Sequence, residues 1–336
     1  MFPHILSDQG SCMHKLTFTA FADLHDNPGR FFTNAAYRLE KICDAAVRSG
    51  SSLILHAGDF CHDFSESKDI IKQYRDCGIP SFHTLGNHDC DIQTYTKVME
   101  VYGMPGPWYF ADVDGFRFVF TDTNYFLEDG EYVHFSAGNH SRCSKEERYY
   151  LPPDEMLWLE ETVSTSPYPC VVISHHSFER ETGGVRNGAE IRDFLTHSGK
   201  VMLCINGHHH RDHIGKAGGI CWLELNSASY NWLQKPHNLF PPEITEKYVY
   251  SPHLAVYNDP LYATVTVSYD GTVAIQGIQS SFFMGVSREA SGNEPLDECG
   301  RPAVPWVSSA VITGCNTGRS AEWQHPFPDI NLPERP

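Results

Sequence analysis

Short apolar segments alternate with amphipathic ones at the start of the chain, and this alternation constrains the fold more than any other feature of the sequence. Strand-like runs at 15–23, 52–59 and 80–89 are separated by segments at 34–50 and 65–78 whose apolar residues have helical spacing. Strand, helix and strand in this order predict parallel strands joined by crossover helices. We therefore expect a largely parallel sheet in this part of the chain.

The alternation continues further along the chain. Aromatic segments on either side of Asp114-Gly115 predict a β-hairpin, because Asp-Gly is a favoured hairpin turn. A helix is predicted at 152–166, followed by strands at 170–176 and 201–210. The intervening residues 124–152 are polar and contain glycines, which indicates a loop.

Side chains that can bind a metal or a phosphate follow five of the predicted strands. In chain order they are Asp23, His25, Asp59, Asn87, His88, His175, His208 and His210. In parallel α/β sheets, ligands bind at the carboxyl ends of the strands, which meet at one edge. We therefore expect these side chains to converge there.

The mixture of imidazole, carboxylate and amide groups suits divalent manganese, iron, zinc, cobalt or nickel. The absence of cysteine from these positions argues against a structural zinc site. Two ions about 3.5–4 Å apart can hold the attacking and leaving oxygens of a phosphoryl displacement. One carboxylate has to bridge such a pair, and Asp59, after a central strand, is the natural candidate. A hydroxide between the ions would be the nucleophile.

The order of these motifs resembles the calcineurin-like metallophosphoesterase family. The matching blocks are D-x-H, G-D, G-N-H-D, H and G-H-x-H, which occur here as Asp23-Leu24-His25, Gly58-Asp59, Gly86-Asn87-His88-Asp89, His175 and Gly207-His208-His209-His210. The blocks span residues 23–210, and strands up to about residue 278 suit the second sheet of the family. The resemblance implies an α/β fold, a four-layer αββα sandwich of two mixed sheets with helices outside and the metal site at the C-terminal ends of strands.

The resemblance also implies two divalent metal ions as cofactors. One ion would be held by two carboxylates and two imidazoles, Asp23, His25, Asp59 and His210. The other would be held by a carboxylate, an amide and two imidazoles, Asp59, Asn87, His175 and His208. His88 would approach the substrate as general acid or as a stabiliser of phosphoryl charge.

One departure from related proteins concerns the support of His88. Phosphatases of the Ser/Thr protein type carry a G-D-x-x-D-R block whose second Asp supports the catalytic His. Here that slot holds His62, with Asp63 beside it and no Arg following. The departure argues against a protein phosphatase, and it leaves open which group orients His88.

Other segments near these motifs have open roles. Arg186 precedes a predicted helix N-cap and either faces solvent or contacts a substrate phosphate. His176 and His209 alternate with predicted ligands, so we expect them to face away and to pack or support. Residues 230–257, rich in Tyr, Trp, Phe and Pro, are either an irregular packed connection or a pocket wall that stacks a base or another flat group.

The composition limits the partners of the chain. Its formal charge of −17 argues against long nucleic acid as a partner, but a small anionic substrate can be attracted by bound cations. No stretch approaches 18 apolar residues, so we expect no membrane span. The 11 scattered cysteines and the absence of a visible secretory signal favour reduced thiols and a cytoplasmic location.

We expect residues 13–280 to form the catalytic domain and residues 281–336 to form an irregular C-terminal extension that wraps the surface or is partly mobile. The G-N-H-D form and the compact size look most like bacterial cyclic-nucleotide and glycerophosphodiester phosphodiesterases, which favours hydrolysis of a small phosphodiester. A phosphomonoesterase acting on a nucleotide or sugar phosphate is the alternative within the class. A non-catalytic metal-binding scaffold with the same fold is the alternative of another class, although the complete ligand set and His88 argue against it.

Overall fold

The computed structural model describes residues 14–180, 183–286, 296 and 300–318. Within these residues, sixteen strands form two six-stranded sheets and two small two-stranded sheets. In chain order the strands are β1 (Lys15–Phe21), β2 (Ile54–Ala57), β3 (Ser81–Thr84), β4 (Tyr109–Val113), β5 (Phe116–Phe120), β6 (Tyr125–Glu128), β7 (Glu131–His134), β8 (Cys170–Ile173), β9 (Val201–Asn206), β10 (His213–Ala217), β11 (Ile220–Glu224), β12 (Tyr230–Trp232), β13 (Leu254–Val256), β14 (Ala263–Ser268), β15 (Val273–Gly277) and β16 (Ala310–Ile312).

The α-helices of the described residues lie mainly between strands that run parallel. In chain order they are α1 (Ala35–Arg48), α2 (Phe64–Arg75), α3 (Tyr95–Tyr102), α4 (Pro153–Ser164), α5 (Gly188–Ser198) and α6 (Pro242–Thr245). None of the helices in the part of the chain that the structure describes is long and apolar enough to cross a membrane.

The first sheet brings strands from the beginning and the end of the described chain together around β1. Its strand order is β16-β15-β14-β1-β2-β3, and β1, β2 and β3 are parallel as the alternation predicted. On the other side of β1, the strands β14, β15 and β16 are antiparallel. β1 is therefore a central strand, and the ends of β1, β2 and β3 that carry the predicted ligands lie at one edge.

The second sheet has the order β10-β11-β9-β8-β5-β4. Its inner strands β5, β8, β9 and β11 are parallel, while β4 and β10 pair antiparallel at its two sides. The predicted hairpin over Asp114-Gly115 is the β4–β5 pair, and both turn residues have positive φ, 43° and 75°. Mixed strand directions in both sheets agree with the expected family fold.

The two sheets pack face to face, and helices cover both outer faces. Phe18 of β1 meets Phe118 of β5 edge to face, with ring centroids 5.2 Å apart, and both side chains are fully buried. α1, α2 and α3 pack on the outer face of the first sheet through residues such as Ile54. α4 and α5 cover the second sheet through residues such as Val172. The four-layer αββα sandwich is thus confirmed.

One expectation about a loop was wrong. Residues 124–152 were predicted to be irregular, but β6 and β7 form a hairpin there. Its turn is Asp129-Gly130, with φ of 53° and 87°, which is the favoured hairpin sequence. Polar and apolar residues alternate only weakly in the two strands. The Asp-Gly turn was therefore a better indication of a hairpin than the periodicity of the sequence.

The C-terminal extension takes part in the first sheet. Residues 300–318 contain β16, which pairs antiparallel with β15. Residues 287–295, 297–299 and 319–336 lie outside the described residues, so the expected wrapping or mobility of those parts, and the domain boundary at 280, stay predictions.

Replacing Phe18 with alanine tests the contact between the sheets. We expect Phe18→Ala to lower the free energy of unfolding by about 3–5 kcal/mol, because a fully buried aromatic side chain leaves a cavity. Leu157→Ala on α4 is the control, since Leu157 is 67% exposed and its loss should change stability by less than about 0.5 kcal/mol. Urea unfolding of both variants measures the difference, and equal losses would contradict the described packing.

Candidate metal centre

Five of the predicted ligands have backbone conformations that non-glycine residues rarely adopt. φ is positive at Asp23 (55°), His25 (51°), Asp59 (60°), His208 (73°) and His210 (49°). Such conformations cost of order 1–3 kcal/mol each and persist only where the surroundings enforce them. These residues lie at three strand ends. Their concentration there indicates a site whose surroundings hold the backbone in strained conformations.

Backbone hydrogen bonds hold the ends of β1 and β2 together. The N–H of Asp23 donates to the carbonyl of Gly58, and the N–H of His25 donates to the carbonyl of Asp59, both at 3.0 Å. A side chain at Gly58 would place its Cβ 2.3 Å from Nδ1 of His175. A Cβ at Gly86 would lie 2.2 Å from Oδ1 of Asp59. The glycines of the G-D and G-N-H-D blocks are therefore required by close approach to predicted ligands.

Asp23, His25 and His210 form the first group of converging ligand atoms. Nε2 of His25 lies 3.0 Å from Nε2 of His210, and Oδ1 of Asp23 lies 3.4 Å from His210 Nε2 and 3.7 Å from His25 Nε2. All three residues are buried. Two imidazoles and a carboxylate aimed at one point can hold a divalent cation.

The second group is centred on His175. Its Nε2 lies 3.2 Å from Oδ1 of Asn87, and ligand atoms of His175, His176 and His208 all lie within 4.8 Å of one another. Oδ2 of Asp59 lies 3.2 Å from His175 Nε2 and 3.8 Å from His25 Nε2. Asp59 therefore lies between the two groups, where the sequence predicted a bridging carboxylate.

The outer nitrogen of each well-placed histidine is already occupied. Nδ1 of His175 donates to the carbonyl of Ala57, and Nδ1 of His210 donates to the carbonyl of Tyr230, both at 2.8 Å. Nδ1 of His25 lies 3.0 Å from Nε2 of His62. Partners of this kind fix the tautomer and direct the Nε2 lone pair inward, as in metal sites. The residues present therefore fit a bound metal.

The electrostatics favour a cation at the same place. Burial would raise the pKa of Asp59, but His175 and His88 hold it well below its usual range. Burial would also raise the pKa of Asp23, and the imidazole of His210 keeps it low. Burial lowers the pKa of His175, yet the carboxylate of Asp59 raises it to about 9. Two buried carboxylates thus remain ionised and favour positive charge between them.

His176 does not face away from the centre, as the alternation with His175 had predicted. Its Nε2 lies 3.3 Å from Oδ1 of Asn87, its Nδ1 lies 2.6 Å from Oγ1 of Thr123, and its ring stacks on Tyr149 with centroids 3.8 Å apart. The reason is that β8 ends at Ile173, so strand alternation no longer applies at His175 and His176.

His209 takes a supporting position at the rim of the centre. Its Nδ1 lies 3.0 Å from Oε1 of Glu224, a buried carboxylate that also binds Arg180. This contact anchors the turn that carries His208 and His210. This position agrees with the expectation that His209 supports the centre and does not itself bind a metal.

Asp91 is the group that holds His88, and it lies outside the motifs that predicted the site. Its Oδ2 accepts from Nδ1 of His88 at 2.7 Å and from Nδ1 of His62 at 3.0 Å. Burial lowers the pKa of His88, but the carboxylates of Asp59 and Asp91 raise it to about 9. The available signal was a carboxylate three residues after the histidine, which places both on one face of a helical turn.

Asp89 ties the loops of the centre to one another. Its carboxylate accepts from five donors, the backbone N–H groups of Asp59, Phe60, Cys61 and Gly86 and the hydroxyl of Tyr102, at 2.8–3.2 Å. Burial raises the pKa of Asp89 to about 6, and the charge of Asp59 adds to this effect. The fourth residue of the G-N-H-D block therefore positions the bridging candidate rather than binding a metal.

A cavity of about 640 Å³ opens above these groups. Besides the groups of the centre, its lining includes the basic residues Arg30, Lys145, Arg148 and Arg186, the acidic Glu146, and the aromatic residues Phe31, Tyr149, Tyr230, Trp232 and Tyr250. Arg186 reaches the cavity and donates to the carbonyls of Lys145 at 3.0 Å and Arg148 at 3.3 Å. Its contact with a substrate stays a prediction.

A family model described as calcineurin-like phosphoesterase matches residues 16–212 of the chain. This range includes all eight residues predicted to bind metal or to act on the substrate. No curated protein matches the chain significantly.

Solved structures similar to this one come from several organisms. A dimetal phosphatase of Danio rerio has a TM-score of 0.57 at 14% identity, over 80% of this chain and 98% of that one. The anchor protein of the Plasmodium inner membrane complex has a TM-score of 0.47 at 15% identity, over 79% of this chain and 84% of that one. A Staphylococcus aureus protein described as a putative 5′-nucleotidase has a TM-score of 0.46 at 13% identity, over 93% of this chain and 56% of that one. The first likeness shows a shared fold, and none of the three bears on the substrate.

Asp89→Asn tests the support of the centre. An amide offers one acceptor oxygen and turns an NH₂ group toward backbone donors, and each buried donor left unpaired costs about 1–3 kcal/mol. We expect the free energy of unfolding to fall by roughly 3 kcal/mol or more, measured in urea. Asp193→Asn, an exposed change on α5, is the matched control and should cost less than about 0.5 kcal/mol. Similar losses in the two variants would refute this role of Asp89.

Proposed function

Because the chain belongs to the calcineurin-like phosphoesterase family, we propose that it hydrolyses a small phosphoester with two divalent metal ions bound at this centre. The observation that supports this most is the position of Asp59, whose carboxylate lies between two groups of converging ligand atoms. When bound, two such ions lower the pKa of a water to supply a hydroxide nucleophile and neutralise charge on the phosphoryl oxygens.

The residues that would hold the two ions are those of the two groups of converging ligand atoms. We assign one ion to two carboxylates and two imidazoles, Asp23, His25, Asp59 and His210. We assign the other to Asp59, Asn87, His175 and His208, with His176 beside them. The fixed tautomers of His25, His175 and His210 support this assignment, because each presents Nε2 to the centre.

His88 is the residue we propose to act on the substrate. Its Nδ1 is bound to Asp91, so Nε2 remains for a substrate oxygen, and the side chain is 40% exposed in the cavity. Burial lowers the pKa of His88, but the hydrogen bond to Asp91 raises it and favours the protonated ring. The imidazolium can protonate the departing oxygen or stabilise charge on the phosphoryl group.

The finer proposal is a phosphodiester. A cavity of about 640 Å³ is much larger than a phosphate group and leaves space for substituents around it. A phosphomonoester, the alternative substrate, carries only one substituent on its phosphoryl group.

We take residues 13–280 as the catalytic unit, since every residue assigned above lies within them.

The metal content of the purified chain tests the proposal. We expect two divalent ions per chain by elemental analysis, loss of hydrolysis after chelation, and recovery on adding Mn²⁺. Asp59→Asn should weaken binding of both ions, by at least roughly 10–100-fold, because one carboxylate serves both groups. Asp193→Asn should keep the metal and the activity. A metal-free chain that still hydrolyses phosphoesters would exclude the proposal.

The two roles of His88 separate by leaving group. An alkoxide leaves poorly and needs a proton, whereas a nitrophenolate leaves without one. If His88 is a general acid, His88→Ala should slow alkyl esters by roughly 10²–10⁴-fold and aryl esters much less, with both ions retained. Asp91→Asn, which keeps the imidazole but removes the negative charge beside it, should show the same selective loss at smaller size. Equal losses on both esters would support charge stabilisation, and loss of a metal would make His88 a ligand.

A further inference from the structure

Four aromatic residues, Phe31, Tyr230, Trp232 and Tyr250, form one side of the cavity, and we call them the aromatic wall. Phe31 stacks between two tyrosines, with centroids 5.7 Å from Tyr230 and 5.7 Å from Tyr250 and interplanar angles of 22° and 26°. Tyr250 then meets Trp232 at 5.9 Å. The wall is therefore a continuous series of rings.

The inner end of the wall touches the candidate metal centre. The ring of Tyr230 lies 5.3 Å from that of His25 and 4.8 Å from that of His210, and Phe31 lies 6.2 Å from His25. Tyr230 and Phe31 are 2% and 9% exposed, whereas Tyr250 is 38% exposed. Ring surface thus becomes accessible with distance from the centre, which suits a flat group joined to a phosphoryl group.

Packing buries the inner rings of the wall more completely than the outer ones. Phe31 and Tyr230 belong to a buried apolar cluster with residues such as Leu254. Trp232 packs against the same cluster but is only partly buried, Tyr250 is 38% exposed, and both line the cavity. The ring of His253 stacks on Trp232 at 5.7 Å and 9°. Two adjoining aromatic rings facing a cavity indicate a ligand surface.

The other walls of the cavity are suited to an anion. Four basic side chains line it, Arg30, Lys145, Arg148 and Arg186, in a chain whose formal charge is −17. Nε of Arg148 is buried and has no hydrogen-bond partner among the described residues. It is a donor available to an oxygen of a bound molecule.

We propose that the substrate is a nucleoside phosphoester, with its phosphoryl group at the metal centre and its base stacked on Trp232 and Tyr250. This inference rests on the proposed function and selects a substrate class for it. Aromatic side chains stack on any base because every base has a π-face. A glycerol or other aliphatic ester has no such face and gains nothing from the wall. The cavity of about 640 Å³ is within the range of small-molecule sites.

Matched esters test the substrate class. The methyl esters of adenosine 5′-monophosphate and glycerol 3-phosphate form a diester pair, and the two parent compounds form a monoester pair. With the Mn²⁺-loaded full chain, we expect the nucleotide of the hydrolysed pair to have the higher kcat/KM. Trp232→Leu and Tyr250→Leu should lower the nucleotide-to-glycerol ratio of kcat/KM by about 5–150-fold, mainly through KM, because stacking acts before the chemical step.

Tyr132→Leu is the control, because Tyr132 is also 38% exposed but lies on β7 outside the cavity lining. Its ratio should equal that of the unmodified chain. Calorimetric binding of adenosine 5′-monophosphate and glycerol 3-phosphate to each variant is the second measurement, and it does not depend on turnover.

The outcomes separate the two proposals. Hydrolysis with no nucleotide preference, or a ratio unchanged in both wall variants, overturns the substrate class and leaves phosphoester hydrolysis standing. Absence of hydrolysis of all four esters overturns the proposed function. In that case, nucleotide binding that weakens only in the wall variants still supports a nucleotide site, and equal binding in all variants excludes it.

Discussion

The carboxylate of Asp59 is the point on which the rest of the structure depends. Oδ2 faces imidazoles from two different strand ends, and Oδ1 accepts the N–H of His88 at 2.8 Å. Its own N–H is held by Asp89 at 3.0 Å, and its left-handed backbone is a cost that these contacts offset. An ionised group in this buried position requires compensating positive charge. The surrounding histidines, the close-packed glycines and the positive-φ turns serve to hold that charge in a defined place.

The charge of the centre extends outward along hydrogen bonds. His62 donates to Asp91 through Nδ1, so its Nε2 accepts from Nδ1 of His25, and Asp91 also accepts from His88. One carboxylate outside the centre therefore influences both a candidate ligand and the residue proposed to act on the substrate. His62 lies in the slot at which the sequence comparison with Ser/Thr protein phosphatases expected an Asp, and here Asp91 accepts from both His62 and His88.

Much of the centre could be predicted because its members lie in short motifs at strand ends. Asp23, Asp59 and His210 were expected to converge, since carboxyl ends of parallel strands meet at one edge, and their atoms do lie together. Asp91 was missed because any polar residue near His88 could have been the hydrogen-bond partner of that histidine. His176 was misjudged because the end of β8 is decided by pairing with neighbouring strands, and a local pattern does not show where that pairing stops.

The sequence by itself determined the fold class and the kinds of ligand atoms, because periodicity and strand-end motifs are local and survive without knowledge of distant contacts. The tertiary structure decided which atoms meet. His25 and His210 lie 185 residues apart yet approach to 3.0 Å, and the carbonyl of Tyr230 sets the tautomer of His210. The aromatic wall likewise joins Phe31 to residues after 229. Such contacts depend on how two sheets pack and where loops close over them, which side-chain volume and hydrogen bonding settle only in the folded chain.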